Sequence, residues 1–173
     1  MKNIIFFLFT FIVFASCKKN VEVLPVKTHL EIKENVNSVL NNWHKAASEA
    51  NYKIYFDAMD SVSVFIGTDA SENWTKEQFE NFSKPHFDKG KAWDFKVLER
   101  NVYVNDSKDF VWFDELLDTW MGTCRGSGVL VKIDKNWKIK HYVLSVTIPN
   151  DDITPVINIK REKDSVFLSQ YKK

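Results

Sequence analysis

The apolar residues change their repeat partway along the chain, and that change limits the fold more than any other feature. Up to about residue 90 the repeat is helical; from Trp93 onward it is two. Leu30, Val36, Val39, Leu40, Trp43, Ala46 and Ala47 recur at helical spacing and predict an amphipathic helix over 30–50. Thr28 and Glu31 have the spacing of a capping box in front of it. A shorter helix is predicted from Tyr52 to Met59, then a strand from Val62 to Ile66 ended by Gly67. A polar loop follows to Asn73. Thr75 and Gln78 form a second capping-box pair, and Phe79, Phe82, His86 and Phe87 line one side of the helix that follows. Pro85 is expected to kink or end that helix. Strands are predicted over 93–104, 109–120, 126–134 and 137–148, with turn residues at Asn105-Asp106, Gly122 and Asp134-Lys135-Asn136.

Short joins between successive strands make an antiparallel meander. Helices first and a meander last is an α+β order. A sheet of four to six strands twists, so it wraps the helices and leaves one end of a cone open, where a cavity can form. The segment 151–173 has two readings, a helix opened by Thr154-Pro155 or a disordered tail.

Residues 1–16 read as a signal peptide. Lys2 supplies the positive start, and Ile4 to Phe14 is apolar apart from Thr10. The run is shorter than the roughly 20 residues that cross a bilayer. Phe14-Ala15-Ser16-Cys17 resembles the lipobox of bacterial lipoproteins, which implies cleavage before Cys17 and acylation of its thiol. An ordinary secretory signal with an incidental cysteine is the alternative. Residues 17–29 then form the lipidated cysteine and a tether. Lys18, where a retention signal would carry Asp, directs the expectation to the outer membrane. Cys124 is left without a disulfide partner. Beyond Lys2 the acidic and basic residues balance at 23 each, so no basic surplus points to nucleic acid. A chain that is 45% hydrophobic with 6 Trp and 14 Phe has material for a core.

Residues 36–150 resemble the SnoaL-like domains of the nuclear transport factor 2 superfamily. The resemblance rests on Trp43 to Ala47, Phe65 to Trp74, Trp112 to Leu117, Arg125 to Leu130, and Trp137 to Asn150 with Tyr142 and Leu144. It implies a domain over 30–150 in which a curved antiparallel sheet wraps N-terminal helices, the cystatin-like or nuclear transport factor 2-like roll. It also implies a homodimer packed through the sheet's outer face. Some such domains are isomerases, cyclases, hydratases or dehydratases; others bind ligands or associate without catalysis. Activity therefore has to be argued from the site.

An acid–base site needs a carboxylate or His and a donor for a developing oxyanion. Asp69 and Glu72 either serve such a site or stitch the loop before Thr75. Asp114 and Glu115 interrupt an apolar strand, and neighbours on a strand face opposite ways, so at most one points into the cavity. Arg125 is a cross-strand partner for it, as a structural pair or as part of a working site. The catalytic candidates are thus Asp114, Glu115 and Tyr142. The ligand-binding candidates are His44, Trp74, His86, Trp93, Trp112, Arg125 and Tyr142, against the alternative that the aromatics are simply core. His44, His86 and His141 lack metal spacing, and no metal or cofactor is expected. Gly126-Ser127-Gly128 lacks the lysine and helix of a phosphate loop. The leading expectation is binding of a small, mostly apolar molecule; the alternatives are an acid–base enzyme and a protein-association module.

Overall fold

Both capping boxes form, and each starts a helix that carries the core. The computed structural model describes residues 28–172; the signal segment, Cys17 and most of the tether lie outside the described residues. Helix α1 spans His29–Ser48, with Thr28 and Glu31 exchanging side-chain-to-backbone bonds. It buries Ile32, Val36, Leu40, Trp43, Ala46 and Ala47 along one stripe, each large side chain adding about 1.5–3 kcal/mol. Helix α2 is Tyr52–Asp57. Strand β1 is Met59–Ile66 and β2 is Asn73–Thr75. Thr75 then caps α3, Lys76–Asp88, with Gln78 completing its box.

Four long strands follow: β3 Lys96–Val104, β4 Phe110–Thr119, β5 Gly122–Ile133 and β6 Asn136–Val146. The fold is α+β, with one six-stranded sheet in the order β2-β1-β6-β5-β4-β3. The predicted meander is β3 to β6. Strand β1 pairs parallel to β6, with Phe65 beside Tyr142, and so extends the sheet beyond the meander.

Several boundaries differ from the sequence reading. Strand β5 begins at Gly122 rather than 126, because Gly122 has φ +85° and the turn is tight enough for Thr119 and Gly122 to pair directly. The predicted polar loop ends in a short strand, since Asn73 to Thr75 fold back on β1. Pro85 lies inside α3 without ending it; near the end of a helix it removes one backbone bond. The C-terminal segment is helical: α4 spans Ile153–Ser169 and buries no residue. Pro155 sits in its first turn, where a backbone N–H has no intrahelical acceptor to lose.

Candidate functional site

One cavity of about 370 Å³ opens between the sheet and the helices. Its walls come from α1 and α2 (Trp43, His44, Tyr55), the end of β1 (Phe65, Gly67), and α3 (Phe79, Phe82, His86). Trp74, Trp93 and Phe95, Met121 and Trp120 at the β4–β5 turn, and Tyr142 on β6 also line it. Aromatic rings dominate. Phe65 lies 3.8 Å from Phe79, centroid to centroid and nearly parallel. Trp74 stacks on Phe79 at 5.7 Å and on Phe82 at 4.4 Å, and Trp93 lies 5.9 Å from Phe79. Trp120 is 82% exposed, which places it at the rim.

The polar centre lies behind this wall. Glu115 is fully buried and its carboxylate accepts three hydrogen bonds. His44 Nε2 donates at 2.8 Å and Tyr142 Oη at 2.9 Å, both to Oε1. Arg100 Nε donates to Oε2 at 2.8 Å. Burial alone would raise the Glu115 carboxyl; the His44 hydrogen bond and the His44 and Arg100 charges outweigh it and hold the group below the ordinary carboxylate range. Arg100 is 5% exposed and its Nη1 also donates to Asn41 Oδ1 at 2.7 Å, which ties the pair to α1. Burial lifts the Tyr142 phenol well above its usual range, and the Glu115 charge and hydrogen bond lift it further. Tyr142 thus stays a proton donor.

A glycine makes room for this network. A Cβ on Gly126 would lie 2.3 Å from Tyr142 Oη and 3.0 Å from Glu115 Cγ. The Gly126-Ser127-Gly128 segment has this packing role. Gly67 does the same at the rim, where a Cβ would meet Glu72 Oε2. Glu72 accepts from the Asp69 backbone N–H at 3.1 Å, and Asp69 accepts from Ser71 N at 2.9 Å. These acids hold the loop together, although Glu72 also lines the cavity.

Of the predicted site residues, the fold brings His44, Trp74, His86, Trp93 and Tyr142 to one cavity, with Glu115 behind His44 and Tyr142. Trp112, Arg125 and Asp114 are corrections: they lie on the other face of the sheet. Strand alternation sends Phe113, Glu115 and Leu117 inward. Trp112 instead stacks on Tyr103 at 5.6 Å, 44% exposed. Arg125 does reach a carboxylate across the strands, but it is Asp114, at 3.3 Å in solvent.

Arg100, Trp43 and Tyr55 were not singled out as site residues in the sequence. The register of the β3–β4 hairpin sets Arg100 opposite Glu115, and no local pattern in the sequence marks that register. Trp43 lies on the apolar stripe predicted for the first helix and Tyr55 within the short helix predicted after it, and both are core, 1% exposed each. Among the described residues no group of three His, Cys, Asp or Glu side chains converges as metal ligands would.

A profile of the SnoaL-like domain family matches residues 36–149. Among solved structures, the chain is similar to an NTF2-like protein of unknown function from Pseudomonas putida, with a TM-score of 0.60 at 10% identity over 72% of this chain and 93% of that one. An NTF2-like protein from Cytophaga hutchinsonii gives 0.57 at 16% identity, covering 66% and 98%. The association domain of C. elegans CaMKII gives 0.56 at 18% identity, covering 68% and 97%. At these identities the likeness is one of fold. No curated protein matches the chain.

Proposed function

The chain belongs to the SnoaL-like domain family, and from that premise and the geometry of its cavity we propose that it binds a small, mostly apolar, planar molecule. The observation that carries the reading is the aromatic lining of the 370 Å³ cavity, with stacked rings on one side and a few polar groups at its floor. That is the ordinary makeup of a small-molecule site. The flat faces that these stacked rings present favour a flat ligand over a branched one. The test is a thermal-shift panel joined to mass spectrometry of small molecules that copurify. A hit that raises the melting temperature and is lost in Trp74→Ala or Trp93→Ala supports the reading. A panel without hits and a ligand-free preparation overturn it.

The His44–Glu115 contact favours a second reading, acid–base catalysis on a small carbonyl compound. Glu115 itself is a poor base, because three donors occupy it and its pKa is low. Its fit is as the group that orients His44, whose Nε2–H it accepts, leaving Nδ1 with the lone pair in the neutral ring. His44 lines the cavity and also borders an outer recess with Asn41, Lys45, Ser48 and Asp94, a route for proton exchange with water. Turnover lost in His44→Gln with ligand affinity retained supports catalysis. Equal turnover in both proteins rules it out.

The wider setting is also a proposal. The domain is carried on a lipidated Cys17 at the bacterial outer membrane, and Cys17→Ser moves it from the membrane fraction to the soluble one. Two copies associate through the outer face of the sheet, where Tyr103, Phe110 and Trp112 are exposed together. The likeness to an association domain supports this.

A further inference from the structure

One carboxylate in the cavity wall has no basic partner. Glu72 lines the cavity and is half-buried. Its backbone is fixed on both sides: its N–H donates to Asp69 O and its carbonyl accepts from Gly67 N, each at 2.9 Å. Gly67 lets the carboxylate lie over it, since a Cβ there would be 2.1 Å from Glu72 Oε2. Oε2 accepts the Asp69 N–H at 3.1 Å, which leaves Oε1 to accept from a guest. Asp114 and Glu115 have Arg125 and Arg100; Glu72 makes no ion pair among the described residues. Bonds from Ser71, and last of all the Lys163 charge, hold the neighbouring Asp69 low, but Lys163 does not line the cavity.

The rest of the wall favours positive charge as well. Among the described residues no Lys or Arg lines it. Aromatic rings do, and a ring face attracts a cation. Trp120, 82% exposed at the mouth, leaves its ring open to a guest. The floor has the same sense. Burial does most to lift the Tyr55 and Tyr142 phenols; Trp93 opposes at Tyr55, and the Glu115 charge lifts both further. An anionic group in the cavity would be desolvated with no cation to meet it.

We propose that the ligand's flat apolar body carries one cationic nitrogen, a protonated amine, which stays at the mouth and donates to Glu72 Oε1 with ring faces around it. This rests on the cavity-binding reading and deepens it by naming the ligand's charge. A neutral hydroxyl could also donate to Oε1, but only the cation gains from the unpaired carboxylate and the rings together.

The experiment uses the full chain at pH 7 and three naphthalene probes of like size: 1-naphthylmethylammonium, its neutral counterpart 1-naphthalenemethanol, and the anion 1-naphthoate. Calorimetry gives their affinities for the parent protein and for Glu72→Gln. That change removes the charge and keeps an oxygen to accept the Asp69 N–H, so the loop is preserved. Glu72→Gln is expected to weaken the ammonium by about tenfold, which is about 1.4 kcal/mol, and to leave the alcohol within about twofold. 1-Naphthoate is expected to bind the parent more weakly than the alcohol and to improve in Glu72→Gln. Raising the salt from about 20 to about 300 mM is expected to weaken only the ammonium in the parent. If Glu72→Gln moves ammonium and alcohol alike or moves neither, or if 1-naphthoate binds the parent best, the cation inference is overturned while the apolar cavity stands. If none of the three binds the parent, the cavity reading fails and this inference with it.

Discussion

Asp114 and Glu115 are neighbours on β4, each bonded to an arginine, and they lie in different physical worlds. Glu115 is fully buried, with Arg100 at 2.8 Å, His44 at 2.8 Å and Tyr142 at 2.9 Å. Asp114 is 31% exposed, with Arg125 at 3.3 Å and 54% exposed. The inner pair is shielded from water, so its partners have to stand in for the hydration that folding removed, and they do so for all but Arg100 Nη2, which is buried without a partner. The outer pair keeps its water and gains little from being together. One step along a strand thus separates a charge that organises three elements from a charge that decorates a surface.

The largest test of the contrast removes each acid in turn. Glu115→Ala is expected to cost about 3–5 kcal/mol, because it leaves the buried Arg100 charge uncompensated. Asp114→Ala is expected to cost less than about 1 kcal/mol. Urea denaturation measures both, and equal losses would break the comparison.

Next in size is the space behind the inner pair. Gly126→Ala puts a Cβ against Tyr142 Oη and is expected to cost about 1–3 kcal/mol. Ser127→Ala, one residue on and on the other face, is expected to stay within about 0.5 kcal/mol. A separate marker is the near-ultraviolet circular dichroism of Tyr142 and the Trp43 beside it, 4.8 Å away, which changes only for Gly126→Ala.

Acid should act on the inner face. The folded pKa of Glu115 lies below its ordinary value, about 4.3 unfolded. The folded state therefore binds this proton more weakly than the unfolded one. Its contribution to stability is complete above about pH 4.3 and is lost as the pH falls through the folded value. Melting temperatures taken downward from pH 6 are expected to drop below that point, and the drop is expected to shrink in Glu115→Gln.

The smallest expected effect concerns the aromatics of the two faces. Trp112→Ser is expected to leave affinity for a cavity probe within about twofold and, under the proposed association through the outer face, to favour monomer in light scattering, because Trp112 packs on that face with Tyr103. Trp120→Ala is expected to weaken a cavity probe about three- to tenfold, about 1 kcal/mol, without changing the oligomer.

Much of the architecture was legible along the chain. The change from a helical repeat to a repeat of two placed α1, α3 and the four long strands, since side-chain periodicity is imposed by backbone geometry itself. The capping boxes at Thr28 and Thr75 were legible because both partners lie within four residues. The site was legible in part. Aromatics at His44, Trp74, Trp93 and Tyr142 signalled a pocket, and strand alternation said that only one of Asp114 and Glu115 could face it. Which one, and with which arginine, was not. Arg125 and Arg100 both lie across a strand from β4, on opposite flanks, and their inward or outward parity depends on register, including the shift between Val97 and Glu99. The parallel pairing of β1 with β6 joins residues nearly eighty positions apart, and no local pattern marks it.

By itself, then, the sequence determined the kinds of element, their order and the family-level shape, because those follow from interactions within a few residues. Tertiary structure alone decided that Glu115 sits under His44, Tyr142 and Arg100, that Gly126 makes their space, and that Trp43 Nε1 is buried without a partner. The physical reason is that burial and hydrogen-bond satisfaction are properties of the packed whole: a donor is unpaired only once every neighbour has been placed.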